Sequence, residues 1–272
     1  MTVNPLTQLL PATVGLAAAA LYLAAAASLA GSRVPWPRPR TASFLAGVAM
    51  VVAGFAVPGA VGQAGHDPRL HMGLHLALGM LAPLLLALSA PVTLAVRTVR
   101  APARRRLVAW VASSPIRAIS HPFTALVLSY GGLYVLYLTP LHAEALHDPA
   151  LGLLIQAHVV LSGTLFAWAI VGVDHVPRRP SWRVRGAALL VGIALHTALS
   201  RLLFADADRL AAQTGGTADD WTTAAEIMWF EGDLIELAIV AVFAHQAMSA
   251  RRRAATRAAG GRRPRRAVPD PL

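Results

Sequence analysis

The chain has 272 residues, 56% of them apolar and only 14% charged. A soluble domain carries about 25% charged residues. With a mean hydropathy of +0.55, the composition excludes an ordinary soluble enzyme and a disordered chain and indicates an integral membrane protein. Cysteine is absent, which excludes disulfides, thiolate metal sites, iron–sulfur clusters and covalent haem attachment. Lysine is absent too, so all 24 basic residues are arginine and the formal net charge is +11.

Runs of about 18 or more apolar residues are long enough to cross the hydrocarbon core as helices. Seven such runs occur: Gln8–Ala30, Thr41–Val61, His71–Val96, Phe123–Leu141, Leu151–Val173, Gly186–Phe204 and Thr223–Met248. Ser28-Leu29-Ala30 resembles a signal-peptidase site, but no arginine precedes the first run and the run exceeds a signal core, so the first helix is expected to be retained. The third run contains Pro83 and Pro91 and is expected to kink or end early there. If seven helices alternate, 21 of the 24 arginines fall on one side, leaving only Arg69, Arg201 and Arg209 on the other. The positive-inside rule then places the amino terminus outside and the carboxyl terminus in the cytoplasm. The sequence thus predicts an all-α integral membrane protein, a seven-helix transmembrane bundle over residues 1–250. A basic, disordered cytoplasmic tail is expected over 251–272, lying on anionic lipid and binding no nucleic acid. Trp110, Trp182 and Trp221, near helix ends, read as interfacial anchors.

Ionisable side chains inside a bilayer are costly and mark functional sites by default. Of ten histidines, His66, His142 and His147 fall in outer loops, and His121, His175 and His245 fall near cytoplasmic helix ends. His71 sits at the outer surface. At 1.5 Å per residue, His75 lies roughly 6 Å in, His158 roughly 10 Å and His196 roughly 12 Å. His71 and His75 share a helix face at i, i+4. In the last run Glu226, Trp229, Asp233 and Glu236 form one stripe, which is expected to face the bundle, with Asp233 roughly 15 Å deep. Glu231 lies off that stripe, and Arg201 is a candidate partner for Glu226. Imidazoles from several helices suit copper, zinc or haem iron. A carboxylate can orient them, and Met72 and Met228 could add thioether ligands for Cu(I). The candidate metal ligands are therefore His71, His75, His158, His196 and Asp233, with Glu226, Met72 and Met228 as additions. Each single histidine also fits an interhelical hydrogen bond. No P-loop, dinucleotide fingerprint, zinc-protease or serine-hydrolase motif is present, so no enzyme is expected.

The run His71-Met72-Gly73-Leu74-His75, followed by Met80-Leu81-Ala82-Pro83 and Ser89-Ala90-Pro91-Val92-Thr93-Leu94, resembles the signature of the CtaG-type assembly factors of bacterial caa-type cytochrome c oxidase. Ser120-His121-Pro122, Leu133–Pro140, His158 with Gly163, His196, and Met228-Trp229 before Gly232-Asp233 extend the likeness from about Phe44 to Ala247. The resemblance implies a multi-pass protein of the bacterial plasma membrane. It further implies that the protein contacts oxidase subunits and helps the oxidase mature at its copper-insertion step. Carried over to this chain, its matching residues are His71, His75, His158, His196 and Asp233. The extra acids Glu226, Glu231 and Glu236 depart from it and keep a cation transporter open. A haem-binding membrane protein and a metal-free scaffold are the other readings.

Overall fold

The computed structural model describes residues 5–56, 67–174 and 179–260. Among these the chain is all helix. Its elements are α1 (Pro5–Ser28), α2 (Arg38–Ala56), α3 (Pro68–Leu76), α4 (Ala82–Leu88), α5 (Pro91–Thr98), α6 (Ala101–Val111) and α7 (Ser114–Ile119). They continue as α8 (Pro122–Leu126), α9 (Gly132–Leu138), α10 (Leu141–His147), α11 (Pro149–Val171), α12 (Trp182–Ala205), α13 (Ala207–Thr214) and α14 (Ala218–Gly260). Two π-helical turns, Ala77–Leu81 and Val127–Gly131, join α3 to α4 and α8 to α9.

Among the described residues four helical stretches are long and apolar enough to cross a membrane: Leu10–Ser28, Pro68–Thr98, Pro149–Val171 and Trp182–Ala205. A fifth is the pair Pro122–Leu138 and Leu141–His147, bent by 78°. The second and seventh expected spans fall outside this set. Helix α2 opens on Arg38 and Arg40, and α14 carries Glu226, Glu231, Asp233 and Glu236 within its apolar run. The expected connecting segments themselves hold short helices, α6, α7, α10 and α13. Helix α14 runs past residue 250 to Gly260; the rest of the basic tail lies outside the described residues, as do His66 and His175.

The stretch Pro68–Thr98 is the organiser. Its α3 half packs on α14, and its α4 half packs between α2 and α11. Both prolines act as expected, each in a different way. Pro83 has no N–H for the Gly79 carbonyl one turn earlier, and the chain widens into the π turn just before it. Pro91 restarts the helix at its first position after Ala90 breaks it in the left-handed region, at φ 53°.

Each break exposes main-chain groups, and other helices satisfy them. The hydroxyl of Tyr22 donates to the Ser89 carbonyl at 2.8 Å and accepts from Trp36 Nε1 at 3.0 Å. The Tyr22 ring stacks on Phe44 at 3.9 Å, which fastens α1 and α2 to the break. Asp174 Oδ1 accepts from the Thr93 main-chain N–H at 2.6 Å and from its hydroxyl at 2.7 Å, capping α5 from another segment. The last carbonyls of α11 (Ile170 and Val171) accept from the buried Arg185 guanidinium, which also lies over Trp182 and Phe243. Arg97 reaches the Val34 carbonyl and the Trp36 ring. These contacts gather the α1–α2, α5–α8 and α11–α12 connections at one arginine-rich end of the bundle.

At the opposite end Asp220 accepts from the Thr217 hydroxyl at 2.8 Å and the Thr217 N–H at 3.0 Å, and Arg69 approaches it at 3.4 Å. The two Thr217 donors, and then Arg69, hold its carboxyl below the ordinary value. A depressed carboxylate stabilises the fold above its unfolded pKa and loses that contribution as pH falls through the folded one. The thermal-stability advantage of the wild type over Asp220→Asn is therefore expected at neutral pH and should close in acid. An advantage that grows in acid would contradict this pairing.

Gly163 of α11 faces the Gly79 carbonyl so closely that a Cβ there would overlap the oxygen and crowd Pro83. Gly73 has open space around it. Gly163→Ala should therefore destabilise the bundle by about 1–3 kcal/mol, the usual cost of overpacking. Gly73→Ala should be neutral or gain up to about 1 kcal/mol of helix propensity. Thermal unfolding of the two variants in detergent checks the pair.

Candidate functional site

The histidines lie in two layers, one above the other: His71 in the first, and His75, His158 and His196, whose depths the sequence matches, in the second. The first layer lies at the end away from the arginines. His71 Nε2 is 2.9 Å from the Tyr137 hydroxyl, and its ring meets that of His142 at 4.5 Å between centroids. His142 is buried and sits edge-on to Trp221 at 5.9 Å. It belongs to α10, which the break at Thr139-Pro140 folds back across the end of the bundle. The sequence reading left His142 in a loop. The one available signal was the proline five residues after Val135, where the span was bound to end. Trp221, expected as an interfacial anchor, is instead 1% exposed and closes this layer from α14.

The second layer surrounds an apolar cavity of about 450 Å³. His75 from α3, His158 from α11 and His196 from α12 all line it, with Tyr130 and Ser162 among apolar side chains. His196 Nδ1 lies 3.5 Å from Glu236 Oε1 of α14, and both side chains are almost fully buried. His75 Nε2, both ring nitrogens of His196 and both carboxyl oxygens of Glu236 have no hydrogen-bond partner. Gly232, one turn before Glu236, makes this approach possible. A Cβ there would overlap the His196 ring.

The acidic stripe expected to face the bundle is corrected here. Glu226 and Asp233 are exposed, and Asp233 does not join the histidines. The buried face of α14 runs through Trp221, Ala225, Met228, Gly232, Glu236 and Ile239. That face has the 3–4 spacing of a helix stripe, offset from the stripe the acids suggested. Arg201 does not pair with Glu226; its guanidinium sits 3.3 Å from the centre of the Trp229 ring. Met72 and Met228 are fully buried in the main apolar core. His158 is exposed at the cavity's edge, and its Nε2 is 3.0 Å from the Leu128 carbonyl inside the second π turn. This is the interhelical hydrogen bond that competes with a ligand role. Among the described residues no three histidine or acidic side chains converge closely enough to hold a metal ion.

The described residues thus hold four or five apolar helical stretches that fit a multi-pass membrane protein, and two histidine layers. Residues 20–250 match the cytochrome c oxidase caa3 assembly factor family, and the chain belongs to it. It is also 34% identical over 169 residues to an uncharacterised protein of Mycobacterium leprae, covering 59% of this chain and 25% of that protein. Over 184 residues it is 34% identical to uncharacterised proteins of Mycobacterium bovis and Mycobacterium tuberculosis, covering 64% of this chain and 27% of each. The chain therefore spans about a quarter of the length of these curated relatives. No solved structure matches it.

A buried acid without donors lowers stability, and an apolar side chain of similar volume removes the burden. Glu236→Met is expected to raise stability by about 1–3 kcal/mol in thermal unfolding. A fall of that size would mean that the carboxyl is already a stabilising partner of His196.

Proposed function

We propose that the chain is a seven-span assembly factor of the bacterial plasma membrane that carries copper to a cytochrome c oxidase subunit. Family membership supports the oxidase connection. The asymmetric placement of arginine supports an outer amino terminus and a cytoplasmic carboxyl terminus. One observation carries the copper reading: His75 and His196 line one cavity with buried ring nitrogens that lack partners, and the buried Glu236 carboxyl, also without a hydrogen bond, stands 3.5 Å from His196. A bilayer protein tolerates such atoms at a cost of several kcal/mol unless a ligand engages them. A copper ion is a ligand of the right chemistry, because imidazole suits copper and no competing thiolate exists.

In this reading copper arrives at His71 and His142, the layer nearest the outer surface. It passes to His75 and His196, and Glu236 orients His196 and offsets the cation's charge. Asp233 is not needed. Ligand exchange with an oxidase subunit then releases the ion.

His75→Ala/His196→Ala should abolish stoichiometric Cu(I) binding by the purified protein. The variant should stay in the membrane, and the oxidase assembled beside it should lose copper and activity. Glu236→Gln should weaken Cu(I) binding by about 10–100-fold, the usual effect of removing a group that orients a ligand, and Asp233→Asn should leave it unchanged. A normal copper content in the oxidase of the double variant would sink the copper role and leave a scaffold. A Soret band on the wild type would move the cavity's ligand to haem.

A further inference from the structure

A second large cavity, of about 480 Å³, lies at the arginine-rich end, away from the histidine layers. Its polar lining comes from Ser114, Arg117, Ser120, His121, Thr124 and Arg179, beside the Trp168 ring. Among the described residues no carboxylate lines it. The adjacent acid, Asp174, is committed elsewhere: Thr93 occupies Oδ1, and Trp168 Nε1 donates to Oδ2 at 2.9 Å.

The two guanidiniums are held in place by neutral hydrogen-bond partners, and the Asp174 carboxylate acts on Arg179 from nearby without forming an ion pair. Arg179 donates to the main-chain carbonyls of Gly172 and Asp174. Arg117 donates to Ser114 Oγ at 3.2 Å, which leaves the serine proton free to be given away. Carbonyl and hydroxyl partners fix an arginine but leave its charge in place. The Ser120 hydroxyl is spent on the Ile116 carbonyl, whereas among the described residues the Thr124 hydroxyl has no hydrogen-bond partner. Two fixed guanidiniums, two free hydroxyl donors and an imidazole form a donor set suited to a tetrahedral oxyanion. The exposed apolar side chains Ile119 and Phe123 stand beside these residues in the chain.

We propose that this cavity binds a phosphate group, supplied by the headgroup of an anionic phospholipid or by free phosphate. Arg117 and Arg179 carry the charge recognition, with Ser114, Thr124 and His121 donating. The apolar flank at Ile119 and Phe123 favours the lipid as source, since acyl chains would lie against it. The site is independent of the copper reading.

The test uses purified full-length protein in detergent, with phosphatidylglycerol or inorganic phosphate added. Binding is read by native mass spectrometry and by the shift in unfolding temperature. Three variants are compared: Arg117→Gln/His121→Gln, Arg117→Lys, and Arg104→Gln on the exposed face of α6. Arg179 is left intact because it also holds the carbonyl of Gly172. Wild type and Arg104→Gln should each retain one phosphatidylglycerol. The double variant should lose about tenfold or more in affinity, as removal of one charge-assisted hydrogen bond implies, and Arg117→Lys should fall between. Retention of the lipid against excess phosphate identifies the headgroup. Phosphate binding alone, lost in the double variant, identifies free phosphate. Equal binding by wild type and a folded double variant, or a loss in Arg104→Gln as large as in the double variant, overturns the site. Should the double variant fail to fold, Arg117→Lys binding like wild type overturns it.

Discussion

Hydrocarbon offers no hydrogen-bond partner, so every main-chain carbonyl released from a helix inside the bundle must find a donor or a close contact within the protein. This constraint accounts for several of the contacts that tie one helix to another. Pro83 frees the Gly79 carbonyl, and Gly163 closes on it. The break at Ala90 frees the Ser89 carbonyl, and Tyr22 takes it. The second π turn offers the Leu128 carbonyl to His158. The end of α11 is met by Arg185. Breaks in the helices therefore do not weaken the bundle at random. Each is the place where one segment is tied to another.

Against that pattern the unpartnered atoms of His75, His196 and Glu236 stand apart. They lie within a bundle whose equally buried Ser89 and Ile170 carbonyls find donors. Elsewhere a polar side chain is present because a helix break needs it. Here His75 and His196 face one cavity and Glu236 backs His196 at 3.5 Å.

The all-helical class, the apolar runs and the two proline positions were legible because each depends on local composition or on a missing N–H. Because helical rise is constant, the sequence sets His75 and His196 at similar levels, and both line one cavity. The rotation of α14 was not. Its acids suggested a stripe through Asp233, yet the buried face is set by where Gly232 lets the His196 ring approach, and that depends on α12. Glu236 lies on both candidate stripes, so only the packing partner could single it out. His142 was missed because its burial depends on the 78° bend at Thr139-Pro140, a tertiary feature. Trp221 was misread because amphipathic tryptophan at a helix end serves an interface or a lid equally well.

The sparseness of the histidine layers is informative about the kind of cargo handling they allow. A structural metal site closes four ligands around its ion and holds it through folding. Here no three ligands converge among the described residues. The layers offer His71 with His142, then His75 with His196 beside a carboxyl. In the copper reading, few ligands per layer would mean shallow binding at each, and two stacked layers would let a ligand from the next engage before the last one leaves. Incomplete coordination would then serve release of the ion. His158, exposed at the edge of the same cavity, is held instead by the Leu128 carbonyl of the second π turn, so the proposed path runs through the other four imidazoles.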